Sequence, residues 1–149
     1  MFEEIYSMTG KILLSVLLSG LVGAEREVRH KGAGLRTHIL VGVGSTLIVL
    51  TSFHVSDIYK NVTFVDPTRM ISGIITGIGF LCAGTIIRGG KQIVGLTTAA
   101  TLWIVSAVGI AIGCDYNTAA IVTTLIVFIV LICFRSVENR LTKHFNYTI

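Results

Sequence analysis

Between Met70 and Ile87 the chain carries no charged residue at all. Eighteen uncharged residues, at about 1.5 Å per residue, cross most of a hydrocarbon core if helical. A water-soluble helix tolerates glycine poorly, yet this run contains Gly73, Gly77, Gly79 and Gly84. Gly73, Gly77 and Gly84 fall near one helical face, and Ser72, Thr76 and Ala83 add further small groups. In lipid, small residues let two helix backbones approach closely. The run therefore predicts a third helix at the crowded centre of a bundle, its glycines packing helices rather than holding a ligand.

The flanks of the run have start and stop signals. Asp66 is placed to cap, with Pro67 at the first helical position. Arg69 follows in the first turn, where a cation is disfavoured; an acidic partner such as Asp66 is expected, and the two form an outer anchor. At the far end, Arg88-Gly89-Gly90-Lys91 reads as a basic glycine stop, and Thr97 or Thr98 as the cap of the next helix. A phosphate-binding loop does not fit this turn. Thr85 stands where its first glycine belongs, Gln92 follows the lysine in place of Ser or Thr, and no preceding strand is expected.

Composition extends the same reading to the whole chain. Of 149 residues 52% are hydrophobic and 13% charged, and the mean hydropathy is +0.81; a soluble domain carries about 25% charged residues. An all-α integral membrane bundle follows, with five spans at about 9–23, 39–53, 70–87, 98–112 and 118–134. The transmembrane domain then covers residues 1–134, and 135–149 form a short basic tail. In that tail Phe134, Val137, Leu141 and Phe145 recur at helical spacing, with Arg135, Arg140 and Lys143 elsewhere around the helix. Such a segment suits the membrane surface. The net charge of +4 is no nucleic-acid signal, because the basic residues flank apolar runs.

Local signals refine the connections. Val22-Gly23-Ala24 resembles a signal-peptide cleavage site, but the basic cluster follows the apolar run, which favours an uncleaved anchor. Glu25 with Arg29 and Glu27 with Lys31 are acid-first pairs four apart, supporting a helical extension before Gly32-Ala33-Gly34 breaks it. Thr37 is expected to cap the second span. Trp103, deep in the fourth, is expected to turn its N–H toward another helix. Cys114-Asp115-Tyr116-Asn117 reads as a tight turn. Nine of the twelve Lys and Arg fall on one side: four in the 24–36 loop, two at Arg88 and Lys91, three in the tail. The positive-inside rule then puts the N-terminus outside and the C-terminus in the cytoplasm.

The residues offer little for catalysis. Cys82, Cys114 and Cys133 lack paired spacing and read as small packing residues. The four histidines show no metal-ligand spacing, and His54 with Asp57 is better explained by loop polarity. The chain reads as non-enzymatic, without cofactor or bound metal. No carboxylate or histidine falls in the middle of a span, where ion carriers usually place one. Magnesium binds through carboxylates and retained waters, so a self-contained magnesium transporter is disfavoured, although a carbonyl-lined pore escapes that argument. The charges gather at the cytoplasmic rim instead. Glu25, Arg26, Arg36 and Arg88, beside Thr37, Thr97 and Thr98, make a candidate functional cluster for docking a protein or an anion.

Four motifs in order carry a resemblance: Gly20-Leu21-Val22-Gly23-Ala24-Glu25-Arg26-Glu27, Gly34-Leu35-Arg36-Thr37-His38, Gly77-Ile78-Gly79-Phe80-Leu81-Cys82-Ala83-Gly84 and Gly95-Leu96-Thr97-Thr98-Ala99-Ala100-Thr101-Leu102-Trp103. Over about residues 10 to 135 the chain resembles the MgtC/SapB family of bacterial inner-membrane proteins. The resemblance implies a five-span protein of this orientation, linked to growth in low magnesium and, in pathogens, to virulence through survival in host cells. It implies a regulator acting through other membrane proteins, with an energy-transducing or transport complex as the partner class. Two departures stand out: Cys82 replaces a glycine of the family's FLGAG motif, and the chain stops at Ile149, too soon for the cytoplasmic domain that many members carry. The expected partners are the lipid bilayer, another membrane protein and a second copy of the chain, and no nucleic acid. A small ion-conducting or magnesium-transporting oligomer stays open as the alternative.

Overall fold

A computed structural model describes residues 2–89 and 92–145, with side chains for residues 2–87 and 93–134. Five helices carry the chain: α1 Phe2–Val28, α2 Leu35–Tyr59, α3 Thr68–Thr85, α4 Leu96–Gly113 and α5 Asn117–Phe145. Each holds a stretch long and apolar enough to cross a membrane. The protein is a multi-pass membrane bundle, as the composition predicts. Four helices run beyond the expected spans, whereas α3 is shifted, starting at Thr68 and ending at Thr85, and the backbone of α5 continues through residues 135–145 as one helix.

The centre of the bundle is α4, not α3. In its apolar window 56% of residues are buried inside the bundle, against 11% for α3. The physical reason lies in which glycines meet a neighbour. A Cβ added to Gly73, Gly77, Gly79 or Gly84 would meet nothing within 4 Å. On Gly109 of α4 it would lie 2.3 Å from the Gly42 carbonyl oxygen of α2, and on Gly42 it would strike the Ser19 hydroxyl of α1. Gly109 and Gly42 therefore set the close crossing of α1, α2 and α4. Helix α3 packs at the edge through Ile74, Ile78 and Cys82, one turn apart on one face. Ile78 and Cys82 join Ala99 and Leu102 of α4 and Ala33 of the α1–α2 loop in one cluster.

The helix ends differ from the sequence signals in several places. Helix α1 stops before the glycines: His30 takes a left-handed φ of 51°, Lys31 N donates to Arg26 O at 3.1 Å, and His30 N donates to Glu27 O at 2.9 Å. That is a Schellman stop with histidine in the place glycine usually takes. The α4–α5 turn repeats it with Asp115 at φ 62°, and the Asp115 carboxylate takes Lys11 at 2.7 Å. Glu27 does not pair with Lys31. Its carboxylate accepts from Leu35 N at 3.0 Å and so caps α2, the role expected of Thr37. Neither Thr97 nor Thr98 caps α4, which starts from Gly95 at φ +96°; a Cβ there would meet Thr85 O at 2.0 Å.

A short antiparallel hairpin, β1 Ile87–Gly89 and β2 Gln92–Val94, links α3 to α4 where a plain helix stop is expected. Its register pairs Ile87 with Val94 and Gly89 with Gln92. A strand, β1, does precede the glycine-lysine stretch, against expectation, but the chain next enters β2 instead of a helix, so a phosphate-binding loop, whose glycine-lysine end opens a helix, stays excluded. Trp103 is about half exposed, and among the described residues no hydrogen bond ties its indole N–H to another helix, the contact expected of it.

Candidate functional site: a buried polar seam ending in a charged cluster

Polar side chains line the contact of α1, α2 and α4 and end at the α1–α2 loop. In the apolar part the seam consists of hydroxyls. Thr46 is fully buried; its hydroxyl lies 3.0 Å from the Ser15 hydroxyl, 3.0 Å from Gly42 O and 2.9 Å from Gly109 O. Ser45 donates to Ser106 at 3.1 Å. Without water in the hydrocarbon core, such groups are tolerated only when they bond to one another. These bonds engage Ser15, Ser45, Thr46 and Ser106, whereas the buried Ser19 hydroxyl has no partner among the described residues.

Toward the loop the seam reaches His38, which is fully buried. Its Nδ1 lies 2.8 Å from Gly34 O and its Nε2 3.0 Å from the Thr101 hydroxyl. A carbonyl only accepts, so a neutral ring carries its proton on Nδ1 and accepts at Nε2 from Thr101. The Thr101 hydroxyl has a second acceptor within reach, the Thr98 carbonyl at 2.9 Å. A Cβ on Gly23 would lie 2.9 Å from His38 Cβ, so α1 packs directly against the base of the His38 side chain.

Beyond His38 the charges begin. Glu25 and Arg26 are both more than nine-tenths buried and form a direct ion pair. Arg29 Nε reaches the second Glu25 oxygen at 3.3 Å. The Glu25–Arg29 pair is the one expected from the four-residue spacing. Two guanidiniums thus share one carboxylate, an arrangement that offsets the cost of burying Glu25 and leaves a net positive charge.

The structure gathers only part of the predicted cytoplasmic cluster. Glu25, Arg26 and Thr98 belong to the buried seam and its end. Arg36, Thr37 and Thr97 are exposed on the same end of the bundle. Arg36 makes no ion pair with Glu25 among the described residues. The side chain of Arg88 lies outside the described residues, as does Lys91. At the opposite end, Asp66 accepts from Thr68 N at 2.9 Å and from the Thr68 hydroxyl at 2.7 Å, holding the start of α3. These bonds, the hydroxyl first, hold the Asp66 carboxyl below its usual range. Arg69 is exposed, and no ion pair joins it to Asp66 among the described residues. An exposed guanidinium is satisfied by water, which removes the need for the expected partner.

Sequence reasoning missed His38 and the hydroxyls Ser15, Ser19, Ser45, Thr46 and Ser106. The available signal was small polar residues recurring at helical spacing inside apolar runs, as at Ser15 and Ser19. Cys82 is buried and donates to Ala99 O at 3.1 Å; Cys114 and Cys133 are exposed, so the packing role expected of all three holds for Cys82. Among the described residues, no three His, Cys, Asp or Glu side chains converge to hold a metal ion.

Five apolar helices, three of which meet along a polar seam, define a multi-pass integral membrane protein. The chain belongs to the MgtC family, whose model matches residues 12–140. It is 38% identical to YhiD of Escherichia coli K12, named as a candidate magnesium transporter, over 92% of this chain and 64% of that protein. It is 37% identical to Protein MgtC of Salmonella typhimurium over 89% of this chain and 54% of that one, and 45% identical to Protein MgtC of Brucella abortus over 76% and 45%. The chain thus spans about half to two thirds of the relatives it matches. No solved structure matches it.

Proposed function

We propose that the chain is a non-enzymatic regulator of the bacterial inner membrane, serving adaptation to low magnesium by binding another membrane protein. In pathogens the same role would support intracellular survival. The N-terminus lies outside and the C-terminus in the cytoplasm. The supporting observation is how its polar groups are used. The seam hydroxyls of Ser15, Ser45, Thr46 and Ser106 are bonded to each other and to carbonyls, only the buried Ser19 hydroxyl lacks a partner among the described residues, and Glu25 is held by two arginines. Neither arrangement offers a hydrated ion an open set of carboxylates. Polar groups available for contact, Arg36, Thr37 and Thr97, stand at the rim instead.

The test is complementation of the low-magnesium growth defect of a strain lacking this gene, combined with photo-crosslinking from residue 36. Arg36→Ala should reach the membrane at normal levels, fail to complement and lose its cross-linked partner. Normal complementation by Arg36→Ala would sink the docking reading.

A second reading, a small magnesium-transporting oligomer, is favoured by the name that YhiD carries. The α2–α3 side offers an apolar groove of about 540 Å³ along Gly73 and Gly77, which a second copy would have to convert into a path. Flux in purified vesicles separates the two.

A further inference from the structure

We propose that the groove between α1 and α5 is a binding site for one anionic phospholipid, its phosphate on Arg29 and an acyl chain along Phe128 and Ile132. The groove has a volume of about 400 Å³ and is lined by Leu21, Ala24, Val28, Phe128 and Ile132, with Arg29 and Glu25 at one end. Its apolar walls belong to membrane-spanning stretches, and its charged end lies where α1 stops at Val28. One charged end at a helix terminus and a greasy channel running into the span match the two halves of a phospholipid.

Charge selects the headgroup. Glu25 supplies one negative charge against two arginines. Arg26 is buried with it, whereas the Arg29 side chain is one-third exposed and uses its Nε for Glu25. A guanidinium has five N–H donors in a planar fork that fits phosphate oxygens in pairs. The terminal nitrogens of Arg29 can therefore turn to a phosphate without releasing Glu25. A zwitterionic lipid brings its own cation and gains less from the excess positive charge. Continuing α5 places Arg135 and Arg140 in sequence beyond Ile132, against one acid, Glu138, so the same end of the chain is basic.

Native mass spectrometry of the full chain, released from micelles holding equal amounts of phosphatidylglycerol and phosphatidylcholine, tests this. The wild type should retain one phosphatidylglycerol in preference to phosphatidylcholine, and excess inorganic phosphate should not displace it. Arg29→Gln should lower that preference about tenfold, the scale of one charge-assisted contact, and Arg29→Lys should restore part of it. Ala24→Phe fills the groove without touching a charge and should abolish retention, which keeps the test valid if Arg29→Gln folds poorly. Arg36→Gln, an equal charge change at the exposed start of α2, should leave the preference intact. Equal retention of both lipids, an equal loss with Arg36→Gln, or displacement by inorganic phosphate would each overturn the assignment.

Discussion

Gly109 of α4 runs against Gly42 of α2 so closely that a single added methyl on Gly109 would stand 2.3 Å from the Gly42 carbonyl oxygen. Backbone cannot move aside as a side chain can. Gly109→Ala should lower stability by about 1–3 kcal/mol, as overpacked sites do, read as a drop in melting temperature in detergent. Gly77→Leu, on the open face of α3, should leave that temperature nearly unchanged.

Glu25 is the single anion between two arginines in a buried place. Removing one partner of a buried pair leaves charge uncompensated, at a cost of about 3–5 kcal/mol. Glu25→Ala should therefore reduce folded protein in the membrane sharply. The double change Glu25→Ala with Arg26→Leu should recover much of it. A double variant no better than Glu25→Ala would show that the carboxylate matters for more than charge balance.

His38 and Thr101 tie α2 to α4 by one buried hydrogen bond of 3.0 Å. Thr101→Val strands a ring nitrogen away from water, which costs about 1–3 kcal/mol. His38→Leu made in the Thr101→Val background should cost less than in the wild type. Additive losses in that double-mutant cycle would mean that the two residues act separately.

Asp66 gives the outer loop a pH dependence. Its folded carboxyl is held below the unfolded value by the Thr68 hydroxyl and N–H. The capping contribution is thus complete above the unfolded carboxylate pKa of about 3.9 and is lost as pH falls through the lower folded value. The hydrogen-exchange protection factor at the start of α3, the unstructured rate over the observed rate at the same pH, should fall on acidification in the wild type and already be low at neutral pH in Asp66→Ala.

Five membrane helices, the α4–α5 turn and the Glu25–Arg29 pair were legible because hydropathy and four-residue spacing act locally. The centrality of α4 was not. Glycine spacing marks a face that can pack closely, and both α3 and α4 have such a face; which one is used depends on where the chain returns. The helix caps were misread for a related reason. Glu27 reaches Leu35 across a turn, and Gly95 is needed because Thr85 crosses it, neither of which a local pattern records. His38 was hidden just ahead of the expected second span, and α2 begins early enough to bury it.

The most direct test of the regulatory account is magnesium flux into vesicles containing the purified full chain, its helical content checked by circular dichroism. The account predicts uptake equal to that of protein-free vesicles. Uptake that rises with the amount of protein, and disappears in Gly109→Leu, would contradict it and make the bundle a carrier or channel.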